Sequence, residues 1–254
     1  MSAPLLALRG AEKSYGSGPR AARVLHGIDL EVRAGSSLGI VGESGAGKST
    51  ILNLLMGLSS PTAGTVEFRG EPLRRARPGR MRDFRRAVQL VFQDPRSSLD
   101  PRMSVGRILR EPLESLRIPG DHGARVAELL ESVGLEPGMA SRYPGEFSGG
   151  QRQRIAIARA LAPSPEVLVA DEPVSALDVS VRAQTIALLA RLKEELGMTM
   201  VIVSHDIAIV GQLCEQIVIL SDGRIVEHGP TPEVLTDPRD PYTRRLLAAV
   251  PQLG

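Results

Sequence analysis

The chain has 254 residues, room for one large domain or one domain with a sizeable insertion, and at 42% hydrophobic content it has ample material for a core. With 24% charged residues and a net charge of +2 it is nearly neutral, so charge alone points to no nucleic-acid partner. A single cysteine, Cys214, excludes a disulfide framework or a multi-cysteine metal cluster within the chain, and no apolar run approaches the ~20 residues of a membrane span.

Taken in chain order, Met1-Ser2-Ala3-Pro4-Leu5-Leu6-Ala7-Leu8-Arg9 has no basic segment ahead of its apolar residues. No signal peptide is expected, and the chain is expected in the cytoplasm. Ser37-Leu38-Gly39-Ile40-Val41 is a short apolar run ending against a glycine, which predicts a buried parallel strand. Lys48 to Leu58 reads as an interior helix. Between them lies Gly42-Glu43-Ser44-Gly45-Ala46-Gly47-Lys48-Ser49-Thr50, a match to G-x-x-x-x-G-K-[ST] in the strand-to-helix setting that such a loop requires. Its glycines let successive N–H groups turn inward on phosphate oxygens, and the following helix adds its positive end. Lys48 is expected to bridge the β- and γ-phosphates of a bound nucleotide, Ser49 to ligate Mg²⁺, and Thr50 to donate to a further phosphate oxygen.

Arg74, Arg75, Arg77, Arg80, Arg82, Arg85 and Arg86 form the one marked charge run, read as a solvated loop and helix face, with contact to anionic lipid as the lesser reading. Arginine is used almost to the exclusion of lysine, whose only occurrences are Lys13, Lys48 and Lys193, so a lysine inside the glycine loop is no casual surface choice. From about Arg96 to Leu161 strands give way to helical patterns, such as Arg125 to Val133 with Val126, Leu129, Leu130 and Val133 on one face. This predicts a helical subdomain inserted in an α/β core. Its last helix starts near Gly149, behind Ser148, and stops before Pro163-Ser164-Pro165. Ser148-Gly149-Gly150-Gln151 at that helix start makes a second anion site.

Glu166-Val167-Leu168-Val169-Ala170 and Thr199-Met200-Val201-Ile202-Val203 are further buried strands, with a helix from Ser180 to Leu196 between them that closes at Gly197. The first strand runs into Asp171-Glu172. Paired acids at the C-terminal end of a buried strand mark a ligand crevice. Asp171 is suited to holding Mg²⁺ through its water shell, and Glu172 to taking the proton of the water that attacks the γ-phosphate. The segment Val210 to Cys214 reads as helix, making Cys214 a small buried core residue. Ile217-Val218-Ile219-Leu220 and Arg224-Ile225-Val226 flank Ser221-Asp222-Gly223, a hairpin turn.

Together these motifs resemble the ATPase subunit of ABC transporters. Phe147-Ser148-Gly149-Gly150-Gln151 looks like that family's signature, Gln93 like its glutamine loop, Ser175-Ala176-Leu177-Asp178 like its D-loop and His205 like its switch histidine. Tyr15 sits where the family places an aromatic that stacks on adenine. The resemblance implies a P-loop NTPase fold of class α/β: a mainly parallel sheet, an N-terminal antiparallel β portion and an inserted helical subdomain at about 96–161, with a C-terminal tail at about 229–254. It implies catalytic roles for Glu172, His205 and Gln93, metal ligation by Ser49, Gln93 and Asp171, and nucleotide contacts from Tyr15, residues 42–50, Ser148 to Gln151 and Asp178.

Phe92-Gln93-Asp94-Pro95-Arg96-Ser97-Ser98-Leu99-Asp100-Pro101, the run Arg142 to Phe147 and the tail Asp240-Pro241-Tyr242-Thr243-Arg244-Arg245-Leu246-Leu247 are similar to the oligopeptide and dipeptide importer subfamily. Gly145 departs from the histidine that these importers often carry. With Cys214 alone the chain cannot build the cysteine-rich extension of some members. The implied partners are a second ABC ATPase, identical or paralogous, two transmembrane permeases beside the 94–101 segment, and an extracytoplasmic solute-binding protein reached indirectly, with no nucleic acid. The implied place is the cytoplasmic face of the plasma membrane. Import of nickel, glutathione or another small solute stays open at this level, as does service to a soluble complex such as carbon–phosphorus lyase.

Overall fold

The computed structural model describes residues 3–16, 22–74, 76–94, 98–175 and 177–249. Arg75 of the arginine run, Pro95 to Ser97 of the segment after Gln93, Ala176 and the tail residues 250–254 lie outside the described residues. The chain divides into two compact units, Met1–Met81 with Thr199–Gly254, and Arg82–Met198.

In the first unit, β1 (Leu6–Tyr15), β2 (Ala22–Val32), β4 (Ala63–Phe68) and β5 (Glu71–Pro72) form an antiparallel sheet in the order β2-β1-β4-β5. From Ile28 to Val32 buried and exposed residues alternate, the period of a sheet with one covered face. Leu6 pairs with Val32 and Phe68, and Leu8 with Leu30 and Val66, so six buried apolar residues line that face. This is the N-terminal antiparallel portion expected above.

The remaining strands are β3 (Ser37–Val41), β8 (Thr199–Ser204), β9 (Gln216–Ser221) and β10 (Arg224–Pro230), in the order β10-β9-β3-β8. β3 is parallel to both neighbours, and all five of its residues are buried, which is why it reads as an unbroken apolar run. The β9–β10 hairpin turns through Asp222 and Gly223, both at positive φ (45° and 67°), as a two-residue hairpin loop prefers.

Helix α1 (Lys48–Leu55) buries Thr50, Ile51, Leu52, Leu54 and Leu55. It is shorter than the expected 48–58: the chain turns at Gly57, the Leu58 amide donates back to Asn53 O, and Leu58 is 65% exposed. Arg80 also departs from the solvated arginine face. It is half-buried, donates to the carbonyls of Phe68 (2.9 Å) and Glu71 (3.1 Å), and pairs with the Glu71 carboxylate.

In the second unit, β6 (Val88–Val91) runs parallel to β7 (Val167–Asp171), with Val88 opposite Val167 and Val91 opposite Ala170. Helix α2 (Pro78–Ala87) leads into β6, with Arg82, Arg85 and Arg86 exposed. Between the strands lie α3 (Val105–Ser115), α4 (His122–Ser132) and α5 (Gly149–Leu161), and no strand among the described residues. Helix α4 starts three residues before the expected Arg125 because Asp121 caps it, accepting from the amides of Gly123 (2.8 Å) and Ala124 (3.1 Å). Helix α6 (Val179–Leu196) closes at Gly197, in the left-handed region at φ 57°. This unit is wider than the 96–161 segment, since it takes in β6, β7 and α6.

The first unit closes with α7 (Ile207–Leu213), α8 (Thr231–Thr236) and α9 (Pro241–Ala248). Cys214 is buried as expected but stands one residue past α7 in extended conformation, a correction to its helical reading.

Candidate nucleotide site

β3 delivers the chain to Gly42, which is buried so closely against Leu220 O that a Cβ there would meet it at 2.3 Å. Glu43, Ser44 and Gly45 are exposed, and Gly45 (φ 86°) and Gly47 (φ 107°) turn the loop through the left-handed region that other residues avoid. Gly47 is the N-cap of α1 and, having no side chain, offers no side-chain acceptor to the first turn of that helix. The Lys48 ammonium donates to the loop's own carbonyls, Gly42 O (2.6 Å) and Glu43 O (2.9 Å). Ser49 is exposed beside it and Thr50 is buried. The Gly223 amide, from the β9–β10 turn, donates to Ala46 O (3.0 Å) and braces the loop from behind.

Two more candidates lie in this unit. His205 is exposed directly after β8, where the Asp206 amide donates to Ser204 Oγ (3.0 Å) and Asp206 then caps α7. Tyr15 ends β1 with its ring 45% exposed, outside the core, and the Lys13 ammonium 5.2 Å from the ring centroid.

In the second unit Asp171 and Glu172 are half-buried at the end of β7. Glu172 has a φ of 46°, a left-handed conformation that costs a non-glycine residue about 1–3 kcal/mol and persists only where its surroundings impose it. The imposing contacts are visible: Ser175 donates to Glu172 O through both its amide (3.2 Å) and its hydroxyl (3.1 Å). Gln93, exposed at the end of β6, donates to that same hydroxyl at 3.3 Å. Gln93, Ser175 and the Glu172 backbone are thereby one hydrogen-bonded set, which no motif in the sequence signals.

Ser148 is the N-cap of α5 in a reciprocal box: its hydroxyl accepts from Gln151 N (3.2 Å) and its amide donates to Gln151 Oε1 (2.9 Å). Gly149 and Gly150 fill the first turn. A Cβ on Gly150 would meet Val181 Cγ1 at 2.5 Å, so α5 and the first turn of α6 touch at this glycine. Asp178 caps α6, accepting from Val181 N and Ser180 Oγ, each at 3.0 Å. The Val181 amide, followed by the Ser180 hydroxyl, holds its carboxyl below the usual range. Ser148, Gly150, Gln151, Arg154, Val181 and Gln184 line a hollow of about 290 Å³ beside the signature.

A buried strand, a glycine loop with a lysine folded onto it, and a helix that starts at a glycine define a P-loop nucleotide-binding protein. The chain belongs to the ABC transporter family, whose model matches residues 25–175. It is 44% identical over 252 residues to the putative oligopeptide transport ATP-binding protein YkfD of Bacillus subtilis, covering 98% of this chain and 77% of that one. It is 51% identical over 231 residues to the oligopeptide transport ATP-binding protein OppD of Mycobacterium tuberculosis, covering 91% of this chain but 38% of that protein's length. Among solved structures, cbiO1 of Clostridium perfringens, part of the ABC transporter complex cbiONQ, superposes with a TM-score of 0.83 at 30% identity over 92% of both chains. The ATP-binding cassette MJ0796, in a dimeric post-hydrolysis state bound to ADP and Pi, does so with a TM-score of 0.79 at 32% identity over 89% of this chain and 98% of that one.

Proposed function

We propose that this chain is the ATP-hydrolysing subunit of an ABC importer for di- or oligopeptides, working as one of a pair of ATPases docked on two transmembrane permeases at the cytoplasmic face of the membrane. An extracytoplasmic solute-binding protein delivers the solute. The observation that carries the reading is the glycine loop itself, set between β3 and α1 with Lys48 turned onto its carbonyls. The peptide transport named for the Bacillus and mycobacterial relatives supports the choice of solute. No helix among the described residues is long and apolar enough to cross a membrane.

In this reading the triphosphate enters the loop, Lys48 exchanges backbone carbonyls for phosphate oxygens, and Thr50 donates to a further oxygen. Mg²⁺ suits the donors at hand. Such a cation takes oxygen ligands, many of them from phosphates and water. By the family resemblance Ser49, Gln93 and Asp171 would hold it, and it would supply charge neutralisation on the phosphates. Glu172 accepts the proton of the attacking water, His205 steadies the γ-phosphate, and Tyr15 stacks on adenine. Ser148 to Gln151 and Asp178 complete the site of the opposing subunit, where the N-terminus of α5 faces the γ-phosphate.

Lys48→Ala tests the loop assignment. Loss of a charge-assisted contact of this kind corresponds to a roughly 10- to 100-fold fall in ATP affinity, read by calorimetry. Unchanged ATP binding contradicts it.

A further inference from the structure

The tail motif Asp240 to Leu247 has no role in the nucleotide site described above, yet it reaches the phosphate loop. The Glu43 amide donates to the Tyr242 hydroxyl at 3.0 Å. With Lys48 (2.9 Å) and the Ala46 amide (3.2 Å) on the Glu43 carbonyl, both backbone groups of this loop residue are held, the carbonyl from within the loop and the amide by the tail. Tyr242 itself is firmly placed. It lies in the first turn of α9, which starts with Pro241 and is capped by Asp240 accepting from the Tyr242 amide at 2.7 Å. The Glu227 carboxylate on β10 accepts from the amides of Arg239 (2.7 Å) and Asp240 (3.2 Å), and Arg244 Nε donates to Pro238 O (2.9 Å). The Arg245 guanidinium lies 5.9 Å from the ring centroid. Burial is the main effect raising the Tyr242 phenol above its ordinary value, which keeps it neutral throughout the working range.

We infer that Tyr242 is a positioning residue for nucleotide binding: through the Glu43 amide, the C-terminal helix holds the phosphate loop in its cradle shape. This rests on the reading of the loop as an ATP site. The physical basis is preorganisation. When Lys48 turns from the Glu43 carbonyl to a phosphate, the loop loses that internal tie, and the Tyr242 contact keeps the peptide in place. Without it, ordering the loop is charged against binding. The effect therefore falls on nucleotide affinity, not on the chemical step.

Tyr242→Phe removes the acceptor oxygen and leaves the ring. Its expected effects in the full chain are a roughly three- to tenfold weaker affinity for a non-hydrolysable Mg-ATP analogue, a matching rise in KM for ATP, and kcat within twofold of wild type. The Glu43 amide resonance in a ¹⁵N–¹H spectrum shifts upfield in the nucleotide-free protein. Arg244→Ala loosens the same helix without touching the phenol and leaves affinity within twofold of wild type. Wild-type affinity in Tyr242→Phe, an unmoved Glu43 amide, or an equal loss in Arg244→Ala each overturns the inference. Failure of the wild-type chain to bind the analogue overturns the ATP reading beneath it instead.

Discussion

Lys48 folds its ammonium onto two carbonyls of its own loop, at 2.6 and 2.9 Å, so the cation is compensated before any ligand arrives. A buried ammonium without such partners would carry a large desolvation penalty. Carbonyls are weaker partners than phosphate oxygens, and that difference favours the exchange when ATP enters. Asp178 works in the opposite sense, as an anion whose charge is wanted in place. Its carboxyl lies below the usual value because the Val181 amide and the Ser180 hydroxyl favour the charged form. A depressed carboxylate stabilises the fold above its unfolded value of about 4, and that contribution is lost as pH falls through the lower folded value. Urea unfolding followed from about pH 6 to about pH 2.5 is expected to show a steeper acid decline in wild type than in Asp178→Asn; parallel curves contradict the cap. Much of this scale was legible in the sequence, since lysine, serine and paired acids carry their chemistry in their identities. The left-handed Glu172, the bond from Gln93 to Ser175 and the reach of Tyr242 to Glu43 were not, because each joins residues distant in sequence or depends on a backbone angle.

Among the elements, α5 and α6 meet where Gly150 lies against Val181. Helix α5 and the helix capped by Asp178 therefore share a contact too close for any side chain at Gly150. An alanine at an ordinary helical glycine is neutral or stabilising. Here Gly150→Ala overpacks the contact and is expected to cost about 1–3 kcal/mol in urea unfolding, with Val181→Ala in the same chain recovering most of it. A single variant as stable as wild type contradicts the close approach. The apolar strands β3, β7, β8 and β9 were readable as unbroken buried runs, and Gly197 as the stop of α6. Element ends were less so. Leu58 and Cys214 carry apolar side chains that suit a helix, but a turn at Gly57 and extended geometry at Cys214 end α1 and α7 before them. The start of α4 was missed for a related reason, since Asp121 acts through a cap and not through periodicity.

For the whole molecule the central claim is that half of each ATP site comes from another ATPase. In the proposed pair, the loop from Gly42 to Thr50 is assigned to the triphosphate of its own subunit, and Ser148 at the start of α5 to the γ-phosphate of the opposing one. ATP then acts as part of an interface, and hydrolysis followed by product release lets the pair separate. The direct measurement is the mass of Glu172→Gln in solution by light scattering, with and without Mg-ATP. This variant keeps the loop and loses the proton acceptor, so turnover is expected to fall roughly 10²- to 10⁴-fold while ATP binding persists. The account predicts a monomer without nucleotide and a stable dimer with ATP, dissolved again by adding Ser148→Arg. A chain that binds ATP yet stays monomeric, or that turns over at the wild-type rate, contradicts it.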